Sequence, residues 1–169
     1  MTTPEDLIAE FPPDTPGKAL RDFPFVERAG LELLHVERGR TVLRLPFEPN
    51  INHVGMIYAG ALFTVAEVPG GILFVSAFDV SRFYPIVGDL DIRFRKPAMT
   101  SVLVDARMAE DEIGRVSAEL EATGKARWDL TQEIVDERGV VVATTRHVLR
   151  SVVLNRLNRR CGLRRQARR

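Results

Sequence analysis

Hydrophobic residues follow a period of two along most of the chain and switch to helical spacing in one central stretch. Residues 31–36 and 41–47 flank the turn sequence ERGR, a pattern that predicts a first hairpin. From Ile57 onward the apolar positions recur at three and four, and the run is too long for one strand. The pattern therefore predicts two strands followed by one long helix.

The period of two returns after this helix and persists to the end of the patterned region. Four further strands are predicted, at residues 86–97, 102–108, 125–134 and 140–152. Between the second and third of these, residues 111–123 have helical spacing and Gly124 supplies a stop, which predicts a short helical insert. This order predicts an α+β fold in which a curved antiparallel sheet wraps the long central helix.

The 169 residues, 45% of them hydrophobic, suit one domain with a substantial core. Residues 30–154 form the predicted domain. Residues 1–29 are rich in proline and predict a loosely attached arm with a short helical piece near residues 17–23. Residues 155–169 form a tail that we expect to be solvated and disordered.

The tail is positively charged, whereas the rest of the chain has a net negative charge. Residues 155–169 hold seven arginines and no acids, so a net charge of +1 leaves about −6 on the rest. Nucleic acid, an anionic membrane or an acidic partner could meet such a tail, but it lacks interleaved aromatic residues and any module that reads nucleic acid. Nucleic-acid contact is therefore the lesser alternative.

Composition also argues against several classes of protein. The single cysteine, Cys161, allows no disulfide framework, and no histidine pair has metal-ligand spacing, so we expect no metal. The opening MTTPEDLIAEFPPD does not have the pattern of a secretory signal, and the apolar stretch 54–80 is too broken for a membrane span, so a cytoplasmic protein is expected. Neither a phosphate-binding glycine loop nor a nucleophile elbow is present, which disfavours NTPases, dehydrogenases and serine hydrolases.

One carboxylate, Glu67, lies inside the apolar helix where a hydrophobic residue would be usual. Ionised side chains are costly to desolvate unless they are paired or used, so this position indicates a site. Phe63, one turn earlier, would raise the pKa of the carboxyl, and Gly70 and Gly71, one turn later, leave room for a ligand or a second backbone. The alternative is that Glu67 pairs with an arginine in an interface and does no chemistry.

Two segments together resemble a known family. NHVGMIYAGALFTVAE (52–67), followed by PIVGDLDIRFRKPA (85–98), resembles the hotdog-fold acyl-CoA thioesterases of the PaaI-like group, in particular a bacterial branch whose members are mostly uncharacterised. The resemblance spans roughly residues 30 to 152. It implies a hotdog fold, an acyl-CoA substrate with no separate cofactor, and a homodimer or a dimer of dimers.

In the family's motif an Asn precedes a His-Gly-Gly turn, and a carboxylate follows nine residues after the His. Asn52 and Glu67 match the Asn and the carboxylate, whereas Tyr58 and Ala59 replace the His and the first Gly, and Gly60 matches the second. The resemblance implies that Glu67 activates water or attacks directly, with Asn52 in support. A Ser or Thr that some members carry near the next strand is Val87 here.

The same resemblance implies that a backbone amide near Gly60 polarises the thioester carbonyl, and residues 58–61 are the predicted substrate contacts: Tyr58, Ala59, Gly60 and Ala61. Free amides at a helix N-terminus can indeed stabilise the negative charge that develops on a carbonyl oxygen. Seven residues of helix place Glu67 roughly 10 Å from Gly60, so one helix cannot bring both groups to one carbon. A second copy could, which predicts a site shared across a dimer interface.

Each of these residues has a structural alternative. Tyr58 could pack at the helix start rather than donate its hydroxyl, and Asn52 could satisfy backbone amides in its turn. The alternative function is a non-catalytic hotdog module that binds acyl-CoA or a lipid-like ligand.

Overall fold

The computed structural model describes Leu20 and residues 23–153. The predicted tail and most of the predicted arm, including nearly all of its helical piece, lie outside these residues. Three helices and six strands are described: α1 Pro24–Arg28, β1 Glu32–Glu37, β2 Arg40–Leu45, α2 Ala59–Ala77, β3 Phe83–Phe94, β4 Val102–Arg107, α3 Glu110–Thr123, β5 Lys125–Asp136 and β6 Val141–Val153.

The six strands form one antiparallel sheet in the order β1-β2-β4-β5-β6-β3. The sheet packs around α2, whose buried positions face every strand in turn. The predicted α+β fold, with a long central helix and a helical insert, is confirmed. Each predicted strand matches an observed one to within a few residues, and α1 was not predicted at its observed position.

Alternation explains why the strands face as they do. β5 buries every second residue from Ala126 to Ile134, as expected of a strand with one face on a core and one in solvent. Two glycines make the turns that the pattern requires: Gly39, with φ of +75°, joins β1 to β2, and Gly124, with φ of +68°, ends α3. Sequence period and turn chemistry therefore agree across the domain.

Helix α2 is apolar on nearly all sides because the sheet surrounds it. By length and composition it could cross a membrane, but more than half of its apolar window is buried inside the fold, as in the core helix of a soluble protein. The helix continues through Pro69 without restarting. At its C-terminus, Arg38 Nη1 donates to the Ala77 carbonyl at 2.9 Å while its Nη2 pairs with Glu110 at 2.8 Å, which ties the first hairpin to both helices.

Candidate active site

A hydrogen-bonded turn leads into the N-terminus of α2. Asn52 Oδ1 accepts the amides of Val54 at 3.0 Å and Met56 at 3.3 Å, and the Asn52 amide donates to the Met56 carbonyl at 2.8 Å. The turn is held to the sheet because the Ile57 amide donates to the Ala98 carbonyl at 2.9 Å. The side-chain oxygen of Asn52 is therefore occupied in shaping the turn that precedes the helix.

The first amides of α2 differ in what they contact. The Ala61 and Leu62 amides both donate to the Tyr58 carbonyl, at 2.9 and 3.1 Å. The Gly60 amide lies in the first turn, where a helix has no internal acceptor, and neither a capping side chain nor an acid lies there in the described chain. The Gly60 amide, unlike the Ala61 amide, is therefore left to a ligand.

Tyr58 and Ala59 are exposed at this helix start. Tyr58 is 59% exposed, and its ring lies against Gly60, in the space that a Cβ on that residue would need. A side chain at position 60 would displace the ring. The tyrosine therefore covers the backbone next to the free amide and remains within reach of whatever binds there.

Glu67 lies two turns further along α2 and is half-buried. It makes neither a hydrogen bond nor an ion pair with any residue of the described chain. The alternative, an arginine partner in an interface with a second chain, stays a prediction. Burial raises the pKa of the Glu67 carboxyl above its ordinary value. An unpaired, desolvated carboxyl is a good general base near neutral pH.

Glu67 forms part of the wall of a groove of about 590 Å³ between α2, the first half of β3 and the segment around α1. Among the described residues, Glu67 is the single charged one that lines it. The other walls are apolar: Val68, Ile72 and Val75 on the helix, residues 83–87 on the strand, and Leu20, Phe23 and Val26 on the N-terminal segment. The groove can hold an apolar chain with a carboxylate beside it.

One protomer does not bring all the predicted groups together. Asn52, Tyr58, Ala59, Gly60 and Ala61 cluster at the N-terminus of α2. Glu67 lies about seven residues up the same helix, roughly 10 Å away along its axis. The amide and the carboxylate therefore form two half-sites.

Sequence reasoning missed two features of this region. The N-terminal segment was predicted only as a loosely attached arm, yet Leu20, Phe23 and Val26 form one wall of the groove. These residues are far from Glu67 along the chain, so no local sequence pattern could indicate that they share a groove with it.

The second missed feature is a buried polar cluster beneath α2, formed by Gln132, Thr145 and His147. Gln132 Nε2 donates to the Ala66 carbonyl at 2.9 Å and contacts Thr145 Oγ1 at 3.3 Å and His147 Nε2 at 3.4 Å. Gln132 Oε1 and His147 Nδ1 are buried without a hydrogen-bond partner in the described chain. Polar residues at inward positions of β5 and β6 were the available signal.

Comparison with known proteins places the chain in a family. A family model described as a domain of unknown function, DUF4442, matches residues 18–150. The chain belongs to the DUF4442 family. None of the curated proteins matches this DUF4442 chain.

Solved structures give the fold of the family. The Pseudomonas aeruginosa protein PA5026, described as a protein of unknown function and probable thioesterase, is 42% identical, with a TM-score of 0.75 over 78% of this chain and 89% of that one. The Pseudomonas aeruginosa thioesterase PA1618 is 14% identical, with a TM-score of 0.67 over 86% of this chain and 98% of that one.

The Escherichia coli PaaI protein from the phenylacetic acid degradation operon is also 14% identical, with a TM-score of 0.60 over 82% of this chain and 89% of that one. These likenesses confirm the predicted hotdog fold and the predicted membership of the thioesterase superfamily.

Proposed function

We propose that this DUF4442 protein is a thioesterase that hydrolyses an acyl-CoA with an apolar acyl group. The observation that carries the proposal is Glu67, a carboxyl of raised pKa that has no partner within the described residues and is the single charged one of them in the wall of an apolar groove. The family relationship to proteins described as thioesterases supports the reaction class. The protein needs no cofactor of its own, since coenzyme A enters as part of the substrate.

The reaction places two demands on the site. A base or nucleophile must act at the carbonyl carbon, and a donor must stabilise the negative charge that forms on the carbonyl oxygen. Glu67 either takes a proton from water, whose oxygen then bonds to the carbon, or attacks that carbon itself. In both routes collapse of the intermediate breaks the C–S bond, and the thiolate of coenzyme A leaves and is protonated. In the second route the acyl group is then an anhydride of Glu67, and attack by water releases the carboxylic acid and restores the carboxylate.

The Gly60 amide is the proposed donor to the carbonyl oxygen. It is free in the first turn of α2, where the positive end of the helix dipole adds to its effect. Asn52 supports it by shaping the preceding turn, and Tyr58 contacts the substrate beside it, with Ala59 and Ala61 completing the backbone of this end of the helix.

The two half-sites are roughly 10 Å apart along one helix, so the proposal includes a homodimer. The Gly60 amide of one copy meets Glu67 of the other when the two α2 helices pack side by side and antiparallel. The exposed side of α2 suits such packing, because Phe63 is exposed there and Gly71 has open space where a Cβ would lie. We place the protein in the cytoplasm, where acyl-CoA is made and used.

The groove suggests which acyl groups fit. Its walls are aliphatic and aromatic, and a chain of several methylene groups gains about 0.8 kcal/mol for each one that leaves water. We therefore expect medium-chain and aryl-acyl thioesters to react better than acetyl-CoA.

An activity screen tests the proposal. Wild type and Glu67→Gln are assayed by release of the coenzyme A thiol from acetyl-, octanoyl-, palmitoyl- and phenylacetyl-CoA, in a Cys161→Ser background that removes the protein's own thiol. Turnover by wild type and its loss in the variant support the proposal. Retained turnover in Glu67→Gln would remove Glu67 from the mechanism, and binding of acyl-CoA without turnover by wild type would favour the non-catalytic module.

A further inference from the structure

The part of α2 that follows Glu67 receives little support from the helix itself. Pro69 has no N–H, so the Val65 carbonyl, four residues earlier, lacks the donor that it would have in a regular helix. Gly70 and Gly71 come next, and glycine and proline are the residues least favourable to a helix interior. The orientation of Glu67 therefore depends on support from outside the helix.

A buried side chain of the sheet supplies such support. Gln132, 5% exposed on the inward face of β5, donates from Nε2 to the Ala66 carbonyl at 2.9 Å. This carbonyl belongs to the peptide group that joins Ala66 to Glu67. The hydrogen bond therefore connects the sheet directly to the backbone of the residue with the carboxylate.

The neighbours of Gln132 set the direction of its amide group. The Ala66 carbonyl is an acceptor, so it selects the nitrogen of the amide and not the oxygen. The same nitrogen lies 3.3 Å from Thr145 Oγ1 and 3.4 Å from His147 Nε2. The hydroxyl can accept from it, as can the histidine nitrogen when the ring carries its proton on Nδ1. The amide nitrogen therefore faces one acceptor on α2 and two on β6.

Stability alone does not explain a glutamine at this position. The neighbouring inward positions of β5, Leu130 and Ile134, are hydrophobic, and Gln132 Oε1 is buried without a hydrogen-bond partner among the described residues. An unsatisfied buried acceptor costs as much as a single hydrogen bond contributes, or more. A hydrophobic residue would therefore stabilise the core at least as well, which leaves the contact with α2 as the property that distinguishes glutamine.

We propose that Gln132 is a positioning residue for Glu67, which holds residues 66–71 of α2 so that the carboxyl faces the groove in a fixed orientation. The proposal rests on the proposed function, in which Glu67 is the base or nucleophile. Reaction rates depend steeply on such alignment, since a displacement of about 1 Å can cost roughly a hundredfold in rate. Gln132 does not contact the substrate and acts only through the helix.

Two substitutions remove this hydrogen bond in different ways. Gln132→Met keeps a similar volume without a donor, and Gln132→Asn keeps the amide but is one methylene group too short to reach the Ala66 carbonyl. In acyl-CoA hydrolysis both should lower kcat by roughly 10- to 100-fold with little change in KM, because the groove is left intact. By NMR, the backbone amides between Glu67 and Gly71 should exchange with solvent several-fold faster than in wild type.

Ser151→Ala is the matched control. Trp128 Nε1 donates to Ser151 Oγ at 3.2 Å, a buried hydrogen bond between the same two strands that does not include α2. Its loss should lower the free energy of unfolding but leave kcat and the exchange of the α2 amides as they are in wild type. An equal loss of kcat in Ser151→Ala would show that general loosening of the sheet is the cause, and would overturn the proposal.

The positioning role requires slower turnover and faster local exchange together. Wild-type values of either quantity in the two Gln132 variants would contradict it. Failure of both variants to fold would also contradict it, because Gln132 would then be a structural residue. If wild type hydrolyses no acyl-CoA, the proposed function fails, and the exchange rates still decide whether Gln132 holds this part of α2.

Discussion

Two ionisable side chains lie beside α2, one open to a groove and one enclosed, and burial shifts both toward their neutral forms. Glu67 lies on the groove side, where desolvation raises its pKa. His147 lies under the helix on β6, 0% exposed, where desolvation lowers its pKa to about 4. The physical cause is the same in both cases, because a charged group is penalised when water is removed.

What differs is access. Glu67 opens onto a groove large enough for a ligand, and no side chain of the described protomer pairs with it. His147 is enclosed by α2 and β5, with Gln132 Nε2 at 3.4 Å and the backbone of Gly70 close by. A perturbed pKa therefore marks a functional candidate where a ligand can reach the group and a structural one where it cannot.

The largest expected effect comes from removing the charge on the groove side. Glu67→Gln should lower kcat for acyl-CoA hydrolysis by about 10²- to 10⁴-fold, because no base or nucleophile remains. Its fold should be as stable as wild type or more stable at neutral pH. A raised pKa means that the folded state holds the proton more tightly, so stability falls as pH rises through the window between the ordinary and the raised pKa, and the amide removes that cost.

Thiol release and denaturant unfolding measure the two parts of this prediction. Glu121→Gln is the matched control, since Glu121 pairs with Arg82 at 2.6 Å on the exposed surface of the insert helix α3. It should keep full activity and change the free energy of unfolding by less than about 1 kcal/mol. A Glu67→Gln variant with normal turnover would place this carboxyl in the same structural class as His147.

A similar contrast, between local patterns and tertiary packing, decides which features could be predicted from the sequence. Glu67 could be found because one acid interrupts a long apolar helix, a signal contained within a single element. The strands were found for a similar reason, since alternation is local. The groove could not be found, because Phe23 and Val26 meet Glu67 only through tertiary packing.

The location of the groups at the N-terminus of α2 could be predicted from the sequence, but their hydrogen bonding could not. The turn at Asn52 and the amide at Gly60 follow from a polar segment that runs into a helix. Which amide stays free depends on backbone geometry, since the Ala61 amide bonds to the Tyr58 carbonyl. A second chain is needed to bring a Gly60 amide close to a Glu67 carboxylate, and that dimer stays a prediction.

On the enclosed side, the next largest effect is a dependence of stability on pH. Burial lowers the pKa of His147 from about 6.5 to about 4, so between these values the unfolded chain binds a proton that the folded chain does not. Stability should therefore fall as pH drops from 6.5 to 4, by on the order of 3 kcal/mol from this residue, and should not depend on the protonation of this residue above that range.

His147→Gln should weaken the dependence of the free energy of unfolding on pH. Urea unfolding at several pH values measures this slope, in a Glu67→Gln background that removes the opposite pH dependence expected from Glu67. His53→Gln in the same background, at an exposed position in the turn before α2, is the matched control. An unchanged slope in His147→Gln would mean that the histidine takes up a proton within the fold and that its enclosure is incomplete.

The smallest expected effect compares the two sides of α2 at adjacent glycines. A Cβ on Gly70 would lie 2.8 Å from Leu149 Cδ2 in the core, whereas a Cβ on Gly71 would meet no atom within 4 Å. Alanine favours a helix over glycine by roughly 1 kcal/mol at either position, but at position 70 overpacking should exceed this gain. Gly70→Ala should therefore have a lower free energy of unfolding than Gly71→Ala, by about 1 to 3 kcal/mol.

Activity should instead be affected more in Gly71→Ala. Its methyl group narrows the groove beside Glu67, so KM for long acyl chains should rise. If the two variants are equally stable, the core beneath α2 accommodates an added methyl group as readily as the groove does.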